Sequence, residues 1–179
     1  MSIPAACAVS ELPRIGICRS TDAARTRALA AALANLCRGG DCIALYGDVG
    51  MGKTTWAQGF IPALVSDVAE GVTSPTFTLV QAYDACAQGQ ALPLWHVDLY
   101  RITSPEEVPM LGIEEILPVG IVLIEWPQHA PDLLPPTRLD IVFTPGEGAN
   151  ARILALHGGE DWPARLRSLD CIELLPPQA

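Results

Sequence analysis

Lys53 is the only lysine among the 11 Lys and Arg residues of this 179-residue chain. It stands near the end of Gly47-Asp48-Val49-Gly50-Met51-Gly52-Lys53-Thr54, which fits G-x-x-x-x-G-K-[ST], with Thr55 following. The chemistry of that spacing is polyphosphate binding. Glycines let successive backbone N–H groups converge on one anion. A helix starting at Lys53 would point its positive dipole end at the same charge. A slim ammonium reaches the β- and γ-phosphates where a planar guanidinium is no substitute. The Thr54 hydroxyl suits Mg²⁺. Thr21 joins Gly47–Thr55 in the expected nucleotide-binding set.

Such a loop needs a carboxylate at the end of a neighbouring strand to organise metal and water. Two candidates exist. Glu125 ends the apolar run Val119–Ile124, where a second metal-organising group belongs. Asp98 lies in Trp95–Arg101, and a period of two puts His96, Asp98 and Tyr100 on one strand face. Each acid alone also reads as a solvated strand end. With Lys53, Asp98 and Glu125 form the expected catalytic set. Ser74-Pro75-Thr76 reads equally as a γ-phosphate-sensing switch or as a plain proline turn. The four tryptophans are too scattered for a base-stacking platform and read as core or interface.

The elements around these residues follow an order of strand, glycine loop, helix. Arg14–Arg19 reads as a short strand. Thr21-Asp22 reads as an N-cap with a first-turn acid, before a helix from Ala23 to about Cys37 that Gly39-Gly40 ends. Cys42–Tyr46 is a short apolar strand, and about Lys53–Leu64 a helix. Thr76–Asp84 and Leu92–Tyr100 alternate as a hairpin across Gln88-Gly89. Ser104-Pro105-Glu106-Glu107 is a capping box opening a short helix that Pro109 distorts. Gly112–Leu117 adds a turn. Val119–Trp126 reads as a buried strand, Pro127–Pro136 as a loop, and Arg138–Thr144 and Ala151–His157 as two more strands. The expected class is α/β: a single P-loop NTPase domain over residues 14–160, with a mixed sheet, a β-hairpin and flanking helices. Residues 1–13 read as a loose leader and 161–179 as a frayed helical tail.

Composition narrows the function. The formal charge is −9, with 20 acidic residues, which argues against a nucleic-acid binder in its own right. No run approaches the roughly 20 apolar residues that a membrane span needs. Arg14 is the first basic residue, so no signal peptide is expected. The six cysteines form no C-x-x-C pair, and read as reduced thiols of a cytoplasmic protein rather than disulfides or a zinc site. A GTPase would want an N-K-x-D motif, impossible here because the single lysine is in the loop. A small-molecule kinase would want a basic lid, yet only Arg101 lies between Lys53 and Arg138.

The ordered set Tyr46–Thr55, Gly59-Phe60, Ser74–Val80 (SPTFTLV), His96–Arg101 (HVDLYR), Gly112-Ile113 and Ile124–Pro127 (IEWP) resembles the TsaE (YjeE) family over roughly residues 20–157. The resemblance implies a P-loop ATPase binding ATP with Mg²⁺, and partners of the TsaB and TsaD type. These carry out threonylcarbamoyl transfer onto the adenosine beside the tRNA anticodon. The chain would then meet tRNA only indirectly, and no membrane. It further implies Thr54 and Glu125 at the metal, Asp98 near the γ-phosphate, and a nucleotide-responsive group of Ser74, Pro75, Thr76, Thr78, His96, Tyr100 and Arg101. Two positions depart from the family pattern: Met51 stands where a small residue is usual, and Gln58 where a basic one is common. Two functions follow: an ATPase that resets its partners, or a nucleotide-gated scaffold with little hydrolysis.

Overall fold

Five consecutive apolar residues without polar alternation suit a strand buried on both faces. The computed structural model describes residues 10–68, 71–159 and 161–176. Cys42–Tyr46 forms such a strand, β2, with all five residues buried. The other strands are β1 (Arg14–Ser20), β3 (Val80–Ala87), β4 (Gln90–Asp98), β5 (Ile121–Glu125), β6 (Leu139–Pro145), β7 (Arg152–Gly158) and β8 (Glu173–Leu174). They form one sheet in the order β3-β4-β5-β2-β6-β7-β1-β8. β4, β5, β2 and β6 run parallel, and the flanking pairs are antiparallel. This is the expected α/β class with a mixed sheet, hairpin and flanking helices.

Helices α1 (Ala23–Ala34), α2 (Lys53–Leu64) and α4 (Asp161–Leu166) supply Leu29, Leu33, Trp56, Phe60, Trp162 and Leu166 to a core with Ile43, Leu45, Leu123, Ile141 and Phe143 of the sheet. Each such side chain contributes roughly 1.5–3 kcal/mol by leaving water. α1 and α2 approach so closely that a Cβ on Gly59 would overlap the Arg27 carbonyl. A second core uses Leu99, Ile102, Ile113 and Leu133 from the connections between strands. They pack on Val97, Val122 and Ile124.

Several boundaries differ from the sequence reading. α1 is capped by Asp22, not Thr21: Asp22 Oδ1 accepts the Arg25 N–H at 2.8 Å. That bond holds the Asp22 carboxyl below the usual carboxylate range. α1 ends at Ala34, three residues short of Cys37. β3 begins at Val80 rather than Thr76, because Leu79 takes a positive φ of 65° and its N–H turns back to the Pro75 carbonyl. The hairpin turn at Gln88-Gly89 forms as expected, both residues having positive φ. Pro105–Leu111 carries the capping box but winds as a 3₁₀ helix, consistent with Pro109 lacking a backbone donor. The short helix α3 is Ile113–Ile116.

The packed fold also runs past residue 160, since Trp162 and Leu166 are buried and β8 pairs with β1. Of the expected leader, residues 1–9 lie outside the described residues, and 10–13 are not loose. The Ser10 hydroxyl donates to the buried Asp140 carboxylate at 2.6 Å, and the Gly158 N–H donates to the Pro13 carbonyl.

Candidate nucleotide site

The parallel strands β4, β5 and β2 end side by side, and their C-terminal edge is where an open α/β sheet places its ligand. Asp98 and Glu125 are register partners, each the last residue of its strand. The loop from Gly47 leaves β2 next to them. Gly47, Gly50 and Gly52 adopt φ of 141°, 77° and 104°, backbone that a side chain would strain, and α2 starts at Lys53. A cavity of about 340 Å³ opens there. Its walls include Val49, Gly50, Gly52, Lys53, Thr54 and Thr55 of the loop and helix, Ser74 and Thr76, Asp98, Tyr100, Glu125 and Trp126.

Lys53 is buried and folded back on its own loop. Its Nζ donates to the carbonyls of Gly47 at 2.6 Å and Asp48 at 2.9 Å, and lies 3.8 Å from the Trp126 ring centre. Burial pushes the ammonium below the ordinary lysine range, against the pull of Glu125, Asp98 and Asp48. An incoming polyphosphate would favour the charged form again.

The two acids are held differently. Glu125 is bridged: Thr54 Oγ1 donates to Oε2 at 3.1 Å, and His96 Nε2 meets Oε1 at 3.0 Å. Asp98 collects donors instead. Ser74 Oγ and Thr76 Oγ1 both reach Oδ2, the latter at 2.8 Å, and the Tyr100 N–H donates to Oδ1 at 2.9 Å. Tyr100 also meets Trp126 at a tilt, ring centres 4.9 Å apart. Among the described residues no three His, Cys, Asp or Glu side chains are grouped to hold a metal by themselves. A cation between Thr54 and the acids would therefore need ligand oxygens as well.

The other expected site residues stand around this centre. His96 is fully buried behind Glu125. Asp48 offers its carbonyl to Lys53. Pro75 is buried, whereas Thr78 is exposed and outside the cavity wall. Arg101 is exposed and lies over the Phe77 ring, 4.9 Å from its centre. Thr21 is exposed beside Asp22. Asp22, not Thr21, lines a second groove of about 440 Å³, which shares Gly50, Gly52 and Thr55 with the first and adds Thr26, Met51, Asn150 and Arg152. Gln58 donates to the Val72 carbonyl at 3.2 Å. Trp126 and Arg152 were not singled out as site residues from the sequence. Trp126 carried a local signal, directly following Glu125; Arg152 carried none.

The Threonylcarbamoyl adenosine biosynthesis protein TsaE family model matches residues 20–153. The chain belongs to the TsaE family. The TsaE of Bacillus subtilis is 37% identical over 126 residues, covering 70% of this chain and 75% of the relative. The TsaE of Nostoc is 42% identical over 114 residues, 60% of this chain and 65% of that one. The crystal structure of Bacillus subtilis YdiB superposes with a TM-score of 0.65 at 28% identity, over 90% of this chain and 97% of YdiB. Membership of TsaE attaches the chain to tRNA threonylcarbamoyladenosine biosynthesis. No helix among the described residues is long and apolar enough to cross a membrane.

Proposed function

We propose that this TsaE-family chain is a Mg²⁺-dependent ATPase of the cytoplasm. It would support threonylcarbamoyl modification of the adenosine beside the tRNA anticodon by resetting or regulating a transferase complex of TsaB and TsaD type. The observation that carries the reading is the Thr54–Glu125 pair, 3.1 Å apart, beside a glycine loop that Lys53 closes.

The chain's own residues divide the work. Loop N–H groups and the N-terminus of α2 bind the phosphates. Lys53 exchanges the Gly47 and Asp48 carbonyls for phosphate oxygens. Thr54 and Glu125 would hold Mg²⁺, which would neutralise the charge developing on the phosphates. Asp98, fixed by Ser74 and Thr76, accepts from and orients the attacking water. Because Ser74 and Thr76 share Asp98 Oδ2, a change at the γ-phosphate would pass to the segment carrying Phe77 and Thr78. The second groove, which shares Gly50 and Thr55 with the first cavity, would take the ribose and base.

No arginine lines the first cavity among the described residues, which supports slow hydrolysis by the isolated chain. The same observation favours the second reading, a scaffold gated by bound ATP. Phosphate release with and without the TsaB- and TsaD-type proteins separates the two. The ATPase reading expects turnover that the partners raise; the scaffold reading expects binding with little turnover, unchanged by the partners.

A further inference from the structure

Arg152 opens β7, far from Lys53 in sequence, and lines the second groove rather than the cavity that Lys53 lines. Its Nε donates to the Met51 carbonyl at 3.2 Å and one Nη to the Gly50 carbonyl at 3.2 Å. The other Nη is spent on the carbonyls of Ala149 and Ala151, at 3.1 and 2.8 Å, which anchors the guanidinium to its own strand start. Lys53 holds Gly47 and Asp48 from within. Two cations therefore grip four of the loop's carbonyls, Lys53 from the cavity and Arg152 from the second groove.

In a trans peptide the C=O and the following N–H point in opposite directions. Fixing the Gly50 carbonyl fixes the Met51 N–H, which closes a turn on the Asp48 carbonyl at 3.2 Å. Fixing the Met51 carbonyl turns the Gly52 N–H away from Arg152. Gly50 and Gly52 have positive φ and no side chain to restrain them, so without an outer grip these peptide planes are the freest part of the loop. A cation on the carbonyl side also polarises each peptide so that its N–H is a better anion donor.

We infer that Arg152 is a positioning residue for the anion-binding loop, acting through the Gly50 and Met51 carbonyls on whatever phosphate the loop receives. The inference rests on the polyphosphate reading of the site. It differs from a direct role on the nucleoside, which the position of Arg152 in the second groove would also allow.

Inorganic tripolyphosphate and ADP separate the two roles, because tripolyphosphate has no ribose or base. Calorimetry would measure both ligands, with Mg²⁺, against the full-length protein and Arg152→Gln. Thermal midpoints would establish that each variant is folded. The expected result is a loss of about tenfold or more in affinity for both ligands by the same factor, the scale of losing two charge-assisted hydrogen bonds. Arg152→Lys should recover little, since one ammonium on a flexible stem cannot reproduce the planar fork on two carbonyls. It also serves if Arg152→Gln does not fold. Loss for ADP alone would make Arg152 a nucleoside contact and overturn the inference, as would unchanged affinity for both. If the unaltered protein binds neither ligand, the polyphosphate reading itself fails.

Discussion

His96 and Thr54 hold Glu125 from opposite oxygens, His96 Nε2 at 3.0 Å from Oε1 and Thr54 Oγ1 at 3.1 Å from Oε2. Because the carboxylate only accepts, Nε2 donates, while the buried Nδ1 has no partner among the described residues. His96 therefore serves the carboxylate on one side only. Replacing it by Leu keeps an apolar volume there but removes a donor to a buried acid. We expect a loss of about 1–3 kcal/mol in urea unfolding, and partial recovery in His96→Gln, whose amide still donates. Equal stability of all three proteins would refute a bond that matters.

Lys53→Ala should abolish tight ATP binding, since it removes the cation that the loop itself brings to the cavity. Thr54→Ala should weaken the dependence on Mg²⁺ more than nucleotide binding itself. Calorimetry with and without Mg²⁺ tests both, and unchanged Mg-ATP affinity in Lys53→Ala would sink the nucleotide reading.

Glu125→Gln and Asp98→Asn keep shape and lose charge. ATP should still bind, while turnover falls by at least about tenfold, because catalysis of this kind is mostly electrostatic positioning. Wild-type rates in both variants would show that neither acid has the role assigned to it.

The buried thiols give a test of the fold without any ligand. Burial pushes Cys18 and Cys42 up to about 12 and raises Cys37 as well. Their thiolates are negligible at pH 8, so alkylation should modify exposed Cys86 and half-buried Cys171 among the described residues and spare the other three until denaturant is added. Peptide mass spectrometry after a brief iodoacetamide pulse reads the pattern. Early modification of Cys37 or Cys42 would contradict the packing.

Despite its pathway, the chain should not bind tRNA by itself. Its charge is −9, and its single lysine is committed to the loop. Only Arg25/Arg27 and Arg165/Arg167 are closely spaced, and Arg165 is already paired with Asp41. Non-specific affinity needs many clustered cations releasing counterions. A gel-shift titration at about 0.15 M salt giving a micromolar or tighter complex would overturn this expectation.

What could be read ahead of the structure was whatever is encoded locally. The glycine loop, the apolar strands β2 and β5, the hairpin turn and the capping box at Ser104 each depend on a few adjacent residues. The convergence of Asp98 and Glu125 needed only two strand ends. Boundaries failed where one backbone angle decided them, as at Leu79, whose positive φ starts β3 four residues late. Trp126 was read only as core or interface, and that it covers Lys53 was not legible, because a tryptophan's local pattern does not say which ring meets which charge. Arg152 was invisible for a stronger reason: its partners are brought to it only by the order of strands across the sheet.

That order also has a consequence in time. β1 is synthesised early, yet both of its neighbours, β7 and β8, are among the last strands made. On the ribosome β1 must wait with open edges while β2 to β5 can already assemble, and an unpaired strand edge is where nascent chains find wrong partners. The glycine loop leaves the ribosome long before the guanidinium that holds its outer carbonyls. A chain stalled before β7 would therefore carry a complete loop sequence without the outer half of its support.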